Sequence, residues 1–214
     1  IRIPYGGGIG AVEHHSESPE AYFTHTAGLR VISPSDPNAA YLTIQQAIAS
    51  DDPVVYFEPK RRYWDKGEVD LTVDATDRHQ VPGPWRARLA RTGSDVTVVC
   101  YGPMVRTCLE AAEASVDVSL EVIDLQSLSP LDMDTVVQSV ERTGRLVVVH
   151  EASANGGLGA EVAARVTERC FYSLEAPVLR VTGFDVPYPP SRLEEHFLPG
   201  LDRVLDAVDR AMAY

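Results

Sequence analysis

Cysteine is scarce in this 214-residue sequence: Cys100, Cys108 and Cys170 are the whole supply. No two form a CxxC pair, and an odd count cannot pair completely within one chain. A disulfide scaffold is therefore excluded, and reduced, mostly buried thiols of a cytosolic-type compartment are expected. Long apolar runs are missing too. No stretch approaches the roughly 18 residues that span a bilayer, so no membrane partner is expected. The opening Ile1-Arg2-Ile3-Pro4 lacks the apolar region of a signal peptide. Positive charge is in deficit: 19 Lys and Arg stand against 31 Asp and Glu, a formal net charge of −12. Nucleic acid is an unsuitable partner for such a surface, because its phosphates need a basic face. A basic protein partner suits it better. No GxSxG elbow, P-loop or HExxH occurs, so none of those signatures carries the chemistry.

What is present is an ordinary globular balance, 44% hydrophobic and 23% charged, in a chain long enough for one large or two small domains. Leu29–Ile32 reads as a short strand. Ser35-Asp36-Pro37 then opens a helix, with a capping side chain before a proline suited to the first turn. Ala40, Ile44, Ala47 and Ile48 share one face of that helix. Asp51-Asp52-Pro53 ends it before the strand Val54-Val55-Tyr56-Phe57, which predicts a parallel βαβ unit. Residues 61–92 are polar, aromatic and turn-rich, with Arg61-Arg62-Tyr63-Trp64-Asp65-Lys66-Gly67 and Val81-Pro82-Gly83-Pro84-Trp85, and read as a connector.

From residue 95 the alternation sharpens. Strands are expected over Val96–Tyr101, Leu120–Leu125, Leu146–Val149 and Val178–Val181. Helices are expected over 104–115, from Ser129-Pro130 onward, and over 158–170. Met133, Val136, Val137 and Val140 fall at helical spacing, and Gly144 sits where a C-terminal cap belongs. A last helix carries Leu201, Val204, Leu205, Val208 and Met212 on one face. The expectation is α/β with a mostly parallel sheet.

Among chemistry-bearing residues, the pair His14-His15 stands out, set between the glycine loop Gly6-Gly7-Gly8-Ile9-Gly10 and a short helical stretch. Histidine moves its proton most easily near neutral pH, and glycines let backbone approach a ligand or turn sharply. Adjacent histidines point in different directions, no HxH or HxxxH spacing supports them, and His25, His79, His150 and His196 are isolated. That favours a general acid/base or hydrogen-bonding role over a metal site. The plainer alternative is a polar pair bridging loop backbones. No clear strand precedes the glycine loop, so its alternatives are a phosphate cradle or a tight turn; Gly156-Gly157-Leu158-Gly159 reads the same way. His150-Glu151 ends a predicted strand, where ligands dock in parallel sheets. The alternative is a structural His–Glu hydrogen bond at a domain interface. Glu194, Glu195, Asp202, Asp206 and Asp209 make an acidic C-terminal end, either a solvated face or a docking surface for a basic domain.

Several stretches together resemble the β subunit of the thiamine-diphosphate-dependent 2-oxoacid dehydrogenases, end to end and in family order. They are the opening glycine–histidine motif, Ser33-Pro34-Ser35-Asp36-Pro37, Phe57-Glu58-Pro59-Lys60, Asp124 to Asp132, Thr143 to Ala152, and Val186-Pro187-Tyr188-Pro189. Gly183 to Pro189 and Lys60 to Trp64 look more like the branched-chain 2-oxoacid enzyme than the pyruvate enzyme. The resemblance implies part of a transketolase-like thiamine pyrimidine-binding domain over 1–60, a connector over 61–92 and a transketolase C-terminal-like α/β domain over 93–214. It implies oxidative decarboxylation of 2-oxoacids with acyl transfer to lipoyl groups, in an α2β2 assembly with the active site between α and β. Thiamine diphosphate and magnesium would be held mainly by the α subunit.

His15, not His14, matches the family's β-subunit histidine implicated in passing the acyl group to the lipoyl arm; His14 and Ser16 would support it. Ala47, Ser50 and Asp52 match a segment whose carbonyls bind potassium in some members. The implied partners are the α subunit, a second copy of the chain, and the peripheral subunit-binding and lipoyl domains of the dihydrolipoyl acyltransferase. The implied location is the bacterial cytoplasm, or the mitochondrial matrix in a eukaryote. Family β subunits carry a long segment before this point, with the cofactor-activating glutamate and much of the aminopyrimidine pocket. That glutamate would lie upstream of Ile1, and Glu13 does not align with it. An isolated chain of this extent is expected to be inactive. Two alternatives accompany this reading: a pyruvate or acetoin dehydrogenase β subunit, and a non-catalytic assembly module.

Overall fold

Two sheets share the chain, and the first begins where no strand was expected. The computed structural model describes residues 1–77 and 85–214; His79 and Val81-Pro82-Gly83-Pro84 lie outside the described residues. Strand β1 (Arg2–Tyr5) runs parallel to β3 (Val54–Pro59), with Arg2 opposite Tyr56 and Tyr5 opposite Pro59. A strand therefore does precede the glycine loop. Its four residues carry a proline and no apolar run, and its pairing partner lies some fifty residues on, so the local pattern does not reveal it.

Helix α1 (Glu13–Ser16) and helix α2 (Glu20–Thr24) follow, then β2 (Arg30–Ile32), α3 (Pro37–Ile48) and β3. The βαβ expectation holds: β2 and β3 are parallel neighbours. Asp36 caps α3 by accepting the Ala39 N–H at 2.8 Å, with Pro37 in the first turn.

The second half begins with β4 (Arg88–Arg91), inside the stretch whose composition read as connector. Then come β5 (Val96–Cys100), α4 (Met104–Ala114), β6 (Leu120–Asp124), β7 (Ser127–Ser129), α5 (Met133–Thr143), β8 (Leu146–Ser153), α6 (Leu158–Cys170), β9 (Leu179–Gly183), α7 (Glu194–Phe197) and α8 (Leu201–Met212). The helix expected from Ser129-Pro130 starts later. Ser129 belongs to β7, the Ser129–Pro130 peptide is cis, and Asp132 caps α5 by accepting from the Thr135 N–H.

The sheet orders are β1-β3-β2-β7 and β4-β6-β5-β8-β9. Strands β5, β6, β8 and β9 are mutually parallel and β4 is an antiparallel edge. Strand β7 crosses over to pair antiparallel with β2, so residues of the second half complete the first sheet.

The central strands β5, β6 and β8 are buried along almost their whole length because helices cover both faces. Val99 and Val148 face α5 and α6, together with Tyr5, Val31, Val55 and Phe57 of the first sheet. Val98, Cys100, Val147 and Val149 point the other way, onto α4 and α8. All three cysteines are free and buried. No helix among the described residues is long and apolar enough to cross a membrane.

Candidate active site

The chain leaves β1 through Gly6 to Val12 and enters the single turn of α1. Gly6, Gly8 and Gly10 adopt φ of +83°, +84° and +69°, and Val12 adopts +54°. Such a φ is routine for glycine. For a β-branched valine it is strained by about 1–3 kcal/mol and persists only where the surroundings enforce it. The loop closes on itself at its base, where the Gly6 N–H donates to the Glu17 carbonyl at 3.1 Å.

His14 and His15 are both exposed on α1, with ring centroids 4.3 Å apart. They do not diverge as adjacent histidines were expected to. Both line one groove of about 550 Å³ with Ile9, Glu13, Glu17 and Lys60. Partial burial lowers the Lys60 ammonium below its ordinary value. A larger groove of about 750 Å³, lined in part by Arg2, Tyr56, Tyr63 and Trp64, shares no residue with it and contains no histidine.

Behind the histidines the polar groups turn inward. Ser16 is buried. Glu20 has no exposed surface and accepts the Tyr101 hydroxyl at 2.5 Å. Burial drives its carboxyl up to about 7, against the pull of that hydrogen bond. Glu151, at the end of β8, accepts the Gly7 N–H at 3.0 Å through Oε2, and its Oε1 lies 3.1 Å from the Arg61 guanidinium. Glu194, from α7, accepts the Gly10 N–H at 2.8 Å and the Tyr188 hydroxyl at 2.6 Å. Burial opposes ionisation of Glu194, but the Tyr188 hydroxyl and the loop N–H groups outweigh it and hold the carboxyl low.

These bonds decide several open readings. Carboxylates of the second half hold the amides of Gly7 and Gly10, so the loop is a turn clamped by internal anions rather than a phosphate cradle. Glu194 is buried and bonded, not part of a solvated acidic face. His150 and Glu151 do not pair with each other. His150 is buried, with Nδ1 3.1 Å from the Ala152 carbonyl, while Nε2 accepts the Gly159 N–H at 3.1 Å. Burial drops its imidazole to about 4, so the ring is neutral with its proton on Nδ1. The second glycine loop packs on that ring: a Cβ on Gly157 or Gly159 would stand 2.7 Å from it.

The cofactors that the resemblance implies find no complete site among these residues. The N–H groups of Gly6, Gly7, Gly10 and Gly159 are taken by Glu17, Glu151, Glu194 and His150, and the described residues do not form a thiamine diphosphate site by themselves. Ala47 lies in the last turn of α3, with Ser50 and Asp52 after it. The Ser50 hydroxyl accepts the Asp52 N–H, and the exposed Asp52 carboxylate lies 2.9 Å from the Arg30 guanidinium. A hard cation takes six or more oxygens, so three carbonyls from this segment would be only part of a potassium site, with the remaining ligands expected upstream.

Sequence reasoning missed Glu194, Tyr188 and Arg61 as parts of this site. Tyr188 and Arg61 stood inside family-like motifs without a role assigned to them, and Glu151 carried the signal of its place at a strand's carboxyl end.

The family description "Transketolase, C-terminal domain" matches residues 86–204. The chain belongs to the transketolase C-terminal domain family. "Transketolase, pyrimidine binding domain" matches residues 1–65, so the expected α/β fold with these two transketolase-like parts is established. The chain is 56% identical to the pyruvate dehydrogenase E1 component subunit beta of Leifsonia xyli, over 100% of its own length and 62% of that relative's. It is 55% identical to the 3-methyl-2-oxobutanoate dehydrogenase subunit beta of Mycobacterium tuberculosis, over 99% of its own length and 60% of the relative's. The chain thus spans about three-fifths of the length of these relatives. Among solved structures, a split gene transketolase described as an inactive beta4 tetramer superposes with a TM-score of 0.80 at 26% identity, over 100% of this chain and 66% of that one.

Proposed function

We propose that this chain is part of the β subunit of a branched-chain 2-oxoacid dehydrogenase. The reaction is oxidative decarboxylation of a 2-oxoacid with acyl transfer to a lipoyl group. The observation that carries the proposal is identity of 55–56% to 2-oxoacid dehydrogenase β subunits along the chain, with His14 and His15 on one open groove. The branched-chain preference rests on Gly183 to Pro189 and Lys60 to Trp64. The pyruvate dehydrogenase relative at 56% supports a second reading, pyruvate as substrate.

In this reading an α subunit completes the site in an α2β2 assembly and holds most of the contacts to thiamine diphosphate and magnesium. The cofactor supplies the electron sink for decarboxylation. This chain's share is proton management on the acceptor side. When the lipoyl disulfide opens, one sulfur takes the acyl group and the other takes a proton; His15, on the groove wall, is the donor. His14 and Ser16 support the turn that carries it. The acyltransferase's lipoyl domain brings the disulfide in, its peripheral subunit-binding domain docks on this chain, and the assembly works in the cytoplasm or, in a eukaryote, the mitochondrial matrix.

The test uses the full-length β subunit assembled with its α subunit. His15→Ala should cut lipoyl acylation far more than decarboxylation read with an artificial acceptor, and His14→Ala should do less. Equal loss of both activities overturns the role of His15. Turnover of 2-oxoisovalerate against pyruvate decides the substrate. Tight binding of thiamine diphosphate and magnesium to the isolated chain, measured by calorimetry, would contradict a purely structural module.

A further inference from the structure

The histidine turn is held from outside its own sheet. Glu194 binds the Gly10 N–H through Oε2 and the Tyr188 hydroxyl through Oε1, at 2.8 and 2.6 Å. The neighbouring Ser191 hydroxyl donates to the Gly10 carbonyl at 2.5 Å. Gly10 is thus gripped at both its N–H and its C=O by a segment more than 180 residues away. Two residues after Gly10, Val12 holds its positive φ, and α1 with His14 and His15 begins at the next residue. The far end of the loop is tied by the bond between Gly6 and Glu17.

We propose that Glu194 is a positioning residue for His15: it fixes the glycine loop at Gly10 and so sets where the histidine turn stands in the groove. Tyr188 orients the Glu194 carboxylate. The packing leaves the tyrosine little alternative, since a Cβ on Gly7 would collide with its hydroxyl and stand 2.9 Å from Leu198. A carboxylate suits this task because it accepts two bonds at once and strengthens both by its charge. A glutamine keeps one acceptor oxygen but presents a donor where the second bond was. The consequence is that displacement of the segment around Tyr188 and Glu194 moves His15 without touching it.

This inference rests on His15 serving lipoyl acylation, and its test separates the two. In the assembled full-length enzyme, Glu194→Ala should lower lipoyl acylation about tenfold or more, as misplacement of a reacting group does. Artificial-acceptor decarboxylation should stay within about twofold. Glu194→Gln and Tyr188→Phe should show smaller losses of the same kind and serve where the alanine variant folds poorly. Glu195→Ala, on the exposed side of the same helix turn, is the control. Adding Glu194→Ala to His15→Ala should bring no further loss. Independently of activity, the His15 ring resonances of the chain should shift or broaden in Glu194→Gln. Losses that multiply with those of His15→Ala, an equal fall in both activities, or unchanged His15 resonances overturn the positioning role. If His15→Ala itself spares acylation, the functional reading falls, and the resonances still decide whether Glu194 positions the ring.

Discussion

The Tyr101 hydroxyl lies 2.5 Å from Oε1 of Glu20, a carboxyl with no exposed surface, and joins the second sheet's core to the helix that follows the histidine turn. Burial, with a small addition from the nearby Glu151, raises the Glu20 carboxyl to about 7 from 4.5. Between those values the folded chain holds a proton that the unfolded chain has lost. Stability therefore falls as pH rises from about 4.5 to about 7 and stays low above it, by a total on the order of 3 kcal/mol. Glu20→Gln keeps an acceptor for Tyr101 without the charge. Its melting temperature should exceed that of the parent most at pH 8 and least near pH 4.5. A constant difference across that range would count against the buried proton.

His150 acts in the opposite sense. Its imidazole is held neutral by burial, down to about 4 from 6.5. Between those values the unfolded chain binds the extra proton, so stability rises with pH across the window and is lost as pH falls through it. The windows of Glu20 and His150 overlap from about 4.5 to 6.5 with opposite slopes, which flattens the parent's profile there. Glu20→Gln should uncover a profile that falls steeply towards acid. In His150→Ala the cost, largest near pH 8, should shrink towards pH 4, because the parent is then itself destabilised by charging the buried ring. Thermal melts at three pH values check both slopes.

The parts legible in the sequence are those whose information is local. Strands β5 and β8 carry apolar stretches because both faces are covered, and α5 and α8 repeat their apolar residues at helical spacing. Strands β1, β4 and β7 are short and carry Arg2, Pro4, Arg88, Arg91, Ser127 or Ser129; they exist because a partner strand elsewhere receives them. The histidine pair stood out through its own glycines. Glu194 could not, since a glutamate in an acidic stretch looks solvated until Gly10 is folded against it. The choice of His15 over His14 came from the family motif alone, as both rings face the same groove.

Glycines near His150 should split by environment. Gly159 has an ordinary helical backbone, yet a Cβ there would stand 2.7 Å from the His150 Nε2 and 3.3 Å from Val148. The ring is buried and bonded at both nitrogens and cannot retreat. Gly159→Ala should cost about 1–3 kcal/mol through overpacking. Gly156 has φ of +68°, and a Cβ there would find no atom within 4 Å, so Gly156→Ala should cost only the left-handed backbone term, about 1–2 kcal/mol. The discriminating measurement is the double variant with His150→Ala. The smaller side chain should relieve Gly159→Ala and leave the cost of Gly156→Ala unchanged in denaturant titrations.

Arg88 ties the start of α3 to the second sheet through charge. One of its terminal nitrogens lies 3.1 Å from Asp124, 2.6 Å from Asp36 and 3.0 Å from the Ser35 hydroxyl. Asp124 is fully buried, and burial raises its carboxyl even against Arg88 and Ser35. Removing the guanidinium leaves a buried acid whose charge has lost its partner. Because Arg88 is itself partly exposed, Arg88→Ala should cost on the order of 2–3 kcal/mol, less than breaking a wholly buried pair. The folded-state carboxyl then rises further above its unfolded value, so the loss should grow as pH rises and shrink in acid. Asp124→Asn in the Arg88→Ala background should recover much of the stability at pH 8, since the amide needs no counter-charge and still accepts the Ser35 hydroxyl. A full double-mutant cycle in denaturant at pH 5 and pH 8 reads the coupling directly. Additive losses at both values would show that the two residues do not act as a pair.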